Sequence, residues 1–68
     1  SELGLAVRRM RVEVGLSQEA LAVDAGIDRS YMGHIERGEK NVTLTKIYQI
    51  SNALELTVAE VFNRIKPI

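Results

Sequence analysis

Apolar residues recur at spacings of three and four along most of the chain, and no segment alternates as a strand would. Leu3, Val7, Met10 and Val14 share one helical face, which predicts a first helix from about Glu2 to Val14 with Gly15 as its stop. Ser17 then precedes Ala20, Leu21, Ala22 and Ala25. Its hydroxyl can accept an orphan backbone N–H, so it caps a second helix from Gln18 to Ala25. Gly26 breaks that pattern as a residue able to take positive φ would. Asp28 caps a third helix, from about Arg29 to Arg37, with Met32 and Ile35 facing inward and Gly38 ending it. A polar loop, Glu39, Lys40 and Asn41, leads to Thr43, the cap of a fourth helix with the stripe Leu44, Ile47, Ile50, Ala53 and Leu54. Thr57 with Glu60 three residues on is a capping-box pattern. It opens a fifth helix bearing Val58, Val61, Phe62 and Ile65, and Pro67 bars its continuation. The expected fold class is all-α.

The second and third helices, LSQEALAVDAGIDRSYMGHIERG from Leu16 to Gly38, carry most of the information. Ala22 and Gly26 lie four apart and are followed by the apolar Ile27, so the two helices can cross closely and steeply in a helix-turn-helix arrangement with its core at residues 17–37. The second helix of such a unit can enter a DNA major groove while the first crosses the backbone. Four strings extend the pattern in order: LGLAVRRMR from Leu3, GLSQEALA from Gly15, AGIDRSYMGHIERGEKN from Ala25 and LTKIYQISNALELTVAEVF from Leu44. Together they resemble the DNA-binding domains of the phage repressor and Cro class, the XRE family, from Leu3 to Phe62. The resemblance implies a compact five-helix, lambda-repressor-like domain that binds a palindromic operator in double-stranded DNA as a homodimer. A chain this short suggests a stand-alone regulator, such as a controller protein of a restriction–modification system or an antitoxin-like autoregulator, with an excised repressor domain as the alternative. Two positions depart from the family pattern. Val42 stands where proline is common, and Glu55 stands where glycine commonly ends the fourth helix, at a strain of order 1 kcal/mol if its backbone is left-handed.

Composition narrows the choice. The chain has 68 residues, which make one domain, 1–68, and leave little room for an enclosed catalytic pocket. There is no cysteine, hence no disulfide or thiolate metal site, consistent with a reducing cytoplasm. No apolar run is long enough to span a membrane and no signal peptide is visible. No cofactor, metal or small-molecule ligand is expected. Nine basic residues cancel nine acidic ones, whereas a DNA binder is expected to carry a basic excess. Neutrality is compatible with DNA binding if charges segregate: Arg29, Arg37, Lys40 and Lys46 cluster around the third helix, while Glu2, Glu13, Asp24, Glu55 and Glu60 fall elsewhere. Glu39 breaks the separation, and Asp28 is a second candidate to do so. Weaker nonspecific binding and a smaller salt slope than in a strongly basic relative are expected. The rival from another class is a protein-interaction module of the same fold that has lost DNA binding.

The candidate DNA contacts are Gln18, Arg29, Ser30, Tyr31, Gly33, His34, Arg37, Lys40, Asn41, Thr43 and Lys46. By the resemblance, Gln18 meets a phosphate at the start of the second helix. Arg29 is forked enough to bind guanine O6 and N7 or a phosphate. Ser30 and His34 are four apart and share a face. Tyr31 can touch a thymine methyl or a phosphate, or pack against the second helix. Gly33, costly in mid-helix, allows close approach to the groove or is simply tolerated. His34 lacks the partners that catalysis or metal binding needs and is read as a DNA contact. Arg37, Lys40, Asn41, Thr43 and Lys46 line the loop that grips the backbone in the family. Asp28 is read as a cap, and the resemblance pairs Arg11 with Glu36 between the first and third helices. The candidate dimer surface is Val58, Phe62, Ile65 and Ile68.

Overall fold

Side-chain caps punctuate the chain where the sequence places them. Ser17 Oγ accepts the Ala20 N–H at 3.0 Å, Asp28 Oδ2 accepts those of Ser30 and Tyr31 at 3.0 and 3.3 Å, and Thr43 Oγ1 accepts that of Lys46 at 3.2 Å. The computed structural model describes residues 2–65. Their elements are α1 (Glu2–Glu13), α2 (Gln18–Ala25), α3 (Arg29–Glu36), α4 (Leu44–Ala53) and α5 (Val58–Ile65), with no strand among the described residues. α1 packs on α2, α3 and α5; α2 packs on α3 and α4; α4 packs on α5. Pro67 and Ile68 lie outside the described residues. None of the described helices is long and apolar enough to cross a membrane.

The turn between α2 and α3 depends on Gly26. At φ 69° its backbone is left-handed, which lets the Ile27 N–H reach back to Ala22 O at 2.9 Å and turns the chain sharply into α3. The same closure ends α4, but there the left-handed residue is Glu55, at φ 59°, with Leu56 N–H bonded to Ser51 O at 2.9 Å. A side chain in this conformation carries strain of order 1 kcal/mol. α5 begins with the reciprocal capping box: Thr57 N–H donates to Glu60 Oε1 at 2.9 Å, and Glu60 N–H donates to Thr57 Oγ1 at 3.1 Å.

Val7, Met10, Leu21, Met32, Ile35, Ile50 and Val61 form the centre of one apolar core to which all five helices contribute. Not every expected stripe residue reaches it. Val14 lies beyond the last turn of α1 and is 56% exposed; Leu44, in the first turn of α4, is 68% exposed. The buried side of α4 is instead completed by Ser51, whose hydroxyl donates to Tyr48 O at 2.9 Å and is thereby satisfied without water. α3 is also one residue shorter than expected, with Arg37 as its C-cap.

Close packing of α1 on α3 needs a residue that periodicity does not single out. A Cβ on Gly4 would lie 2.4 Å from Ile35 O and 2.7 Å from Glu36 O, so only glycine lets the two backbones approach this closely. Next to this crossing Arg11 binds Glu36 in a fork, Nε to Oε2 at 2.8 Å and Nη2 to Oε1 at 3.1 Å. Arg11 Nη1 also donates to Leu16 O at 2.9 Å. The pair implied by the family resemblance is therefore present. It locks α3 to α1 and to the start of α2.

Candidate nucleic-acid interface

With Met32, Ile35 and Glu36 turned into the core, the helical period leaves Ser30, His34 and Arg37 along the outward strip of α3. Arg29 stands at its exposed start, where its Nε lies 3.9 Å from Glu19 Oε2, and both side chains are largely in solvent. At that distance and exposure the pair constrains the arginine little. Arg29 and Ser30 thus stand exposed at the amino-terminal end of α3, the end that reaches base edges in helix-turn-helix docking.

The two borders of the strip are built differently. On the α2 side, Gln18 Nε2 donates to Glu36 Oε1 at 3.2 Å, which ties the glutamine to the Arg11 pair. A Cβ on Gly33 would lie 3.1 Å from Arg37 Nη1 and 3.4 Å from Gln18 Oε1. The missing side chain therefore gives Gln18 and Arg37 room to fold over α3. Arg8 and Arg11 of α1 join Gln18, Glu36 and Arg37 around a polar hollow of about 180 Å³. Arg8 is exposed and was not singled out by the sequence reading. Its place three residues before Arg11 is the one signal that pointed towards α3.

On the α4 side, Tyr31 donates its hydroxyl proton to Asn41 O at 3.2 Å, and Lys46 Nζ sits 5.7 Å from its ring centroid. Tyr31 is half-buried against the core, and its hydroxyl is tied to the loop rather than left in water. It fixes the loop between α3 and α4 at the position from which Lys40 and Asn41 face solvent. Thr43 is committed to its capping bond through the hydroxyl. Along the sequence these residues are grouped only by proximity. Tyr31 is the side chain that joins α3 to the loop and α4 in space.

At the carboxyl-terminal end of the strip, His34 and Arg37 meet an acid. Glu39 Oε2 accepts from Arg37 Nε at 2.9 Å, while Glu39 Oε1 lies 3.3 Å from Arg37 Nη2 and 2.7 Å from His34 Nδ1. These hydrogen bonds, first from Arg37 and then from His34, pull the Glu39 carboxyl down from an ordinary 4.5 to about 2. The charge segregation expected from the sequence is therefore incomplete at this end. On α5, Val58 and Ile65 are half-buried and Phe62 is 45% exposed, so the candidate association surface has one prominent aromatic.

The architecture is that of a helix-turn-helix protein, with α2 and α3 as the paired helices. The helix-turn-helix family profile matches residues 7–61. Control protein C.MunI of Mycoplasma sp is 38% identical over 64 residues, covering 93% of this chain and 86% of that protein. Control protein C.SmaI of Serratia marcescens is 41% identical over 58 residues, covering 85% and 69%. Among solved structures, the restriction-modification controller protein C.AhdI from Aeromonas hydrophila superposes with a TM-score of 0.87 at 44% identity, over 90% of this chain and 92% of that one. The chain belongs to the XRE type of the helix-turn-helix family.

Proposed function

We propose that this chain is a sequence-specific transcriptional regulator that binds a palindromic site in double-stranded DNA as a homodimer, with α3 in the major groove. The observation that carries this is the outward strip of α3, Ser30, His34 and Arg37, with Arg29 exposed at its start and polar borders on α2 and the α3–α4 loop. Arg29 and Ser30 are assigned to base edges. Gln18, Arg37, Lys40, Asn41 and Lys46 are assigned to sugar and phosphate. Tyr31 and Gly33 act mainly by shaping the two borders, and Thr43 by holding the start of α4. The controller proteins among its relatives support a role in regulating a restriction–modification operon, acting by binding rather than catalysis, in the cytoplasm where such DNA resides.

A single α3 reads only a few base pairs, too few for useful discrimination in a genome. Two copies about 34 Å apart would read two half-sites one helical turn apart. Val58, Phe62 and Ile65 supply the association surface in this proposal, with Ile68 beyond the described residues. Sedimentation at tens of micromolar tests the dimer, and fluorescence anisotropy with a mixed-sequence duplex tests DNA binding. A dimer that binds the duplex and is released by added salt is expected. A folded protein with no affinity for DNA at low salt would shift the assignment to a protein-interaction module.

A further inference from the structure

We propose that Glu39 is a built-in competitor for DNA phosphate, holding Arg37 and His34 in the free protein and surrendering them to the DNA backbone on binding. The proposal rests on the DNA-binding function above. Its geometry begins with Gly38, whose φ of 74° reverses the chain at the end of α3, and with the Glu39 N–H, which donates to His34 O at 2.9 Å. This closure carries Glu39 back over the last turn of the helix, onto the strip assigned to DNA. There its two oxygens meet Arg37 Nε at 2.9 Å and Nη2 at 3.3 Å, and His34 Nδ1 at 2.7 Å. A carboxylate gripped by both nitrogens of a guanidinium fork presents two oxygens to it as a phosphate does.

A second arginine–glutamate fork in the same molecule shows what distinguishes this one. Arg11 and Glu36 are only 13% and 4% exposed in their side chains, so an outside anion has little access to them. Arg37 and Glu39 are 55% and 50% exposed, and His34 is 38% exposed, so a phosphate can approach from solvent and take the place of the carboxylate. Arg37 Nη1, directed over Gly33 towards Gln18, lies in the hollow that Arg8 also lines and stays available to a second phosphate oxygen. The exchange leaves one carboxylate charge beside the DNA backbone. Glu39 therefore lowers affinity for every duplex by a similar factor and reduces the number of counterions released, without altering which bases α3 prefers.

The test is Glu39→Gln, measured by fluorescence anisotropy against a selected operator and an unrelated duplex over a range of salt. The variant is expected to bind both duplexes roughly three- to tenfold more tightly at low salt. Its log K against log salt line should be steeper by about one unit. In an Arg37→Ala background the same substitution should gain less, and thermal melts of all the proteins verify that each is folded. Weaker binding by Glu39→Gln would overturn the proposal, making Glu39 an organiser of Arg37 instead; so would unchanged affinity, or a gain that is undiminished without Arg37. If the unsubstituted protein itself fails to bind either duplex, the DNA-binding function falls and takes the proposal with it. That outcome is distinct from a wild type that binds and a variant that changes nothing.

Discussion

Glu39 and Glu60 are both acids held below their ordinary range, for different reasons. Glu39 is lowered to about 2 by hydrogen bonds from the Arg37 and His34 side chains, while Glu60 is lowered first by the Thr57 backbone N–H and then by its hydroxyl. A carboxyl depressed on folding contributes stability that is present above its unfolded pKa and is lost as pH falls through its folded one. The contribution of Glu39 is thus intact at neutral pH and fades from the ordinary carboxylate value of 4.5 down through about 2. Carboxyl NMR should place its midpoint near 2, and Arg37→Ala should return it towards 4.5; a midpoint near 4.5 in the unsubstituted protein would contradict the hydrogen bonding described. The Arg11–Glu36 pair, unlike these surface contacts, is buried. Glu36→Gln leaves the Arg11 guanidinium short of its counter-charge, and removing one member of a buried pair costs about 3–5 kcal/mol. Chemical denaturation should register a loss of that size.

The caps and stops of the helices were legible because each is a local signal, a side-chain oxygen or a left-handed residue acting within a few positions. Ser17, Asp28, Thr43 and the Thr57–Glu60 pair all cap as their sequence positions suggest. Periodicity alone overreached at Val14 and Leu44, because a helical stripe does not say where the neighbouring helix stops covering it. It also passed over Gly4, whose role exists only where the α3 backbone crosses α1. Gly4→Ala drives a methyl group into Ile35 O and Glu36 O, so it should destabilise by about 1–3 kcal/mol, seen as a lower denaturant midpoint with unchanged slope. Glu55→Gly acts in the other direction, relieving left-handed strain at the end of α4 for a gain of about 1 kcal/mol. A loss of stability in Glu55→Gly would mean that strain at this position is not what limits the turn.

At the scale of the whole molecule, zero net charge hides an uneven arrangement. Arg11 is neutralised within the fold by Glu36, and Arg64 reaches Glu13 at 2.8 Å. Arg37 is occupied at the surface by Glu39, and Arg29 has only a distant partner in Glu19. Basic surface is therefore set by which arginines are paired and how exposed each pair is, a property that a count of charges cannot give. Motif positions name the candidate interface residues, those of its two borders included, but not the contacts that build the borders. Tyr31 bound to Asn41 O and Gln18 bound to Glu36 join residues far apart in the chain. The same limit applies to assembly: Phe62 stands exposed on α5, and its replacement by Ser should shift a dimer towards monomer in sedimentation while the fold persists.

The most direct measurement is selection from a randomised double-stranded DNA pool, run in parallel with the unsubstituted protein and with Arg29→Ala. The account predicts enrichment of a short palindrome whose half-sites are about one helical turn apart. It also predicts loss of about 1–3 kcal/mol of discrimination at one position in each half-site of the Arg29→Ala selection. A folded protein that enriches no sequence at low salt would contradict placement of α3 in the major groove.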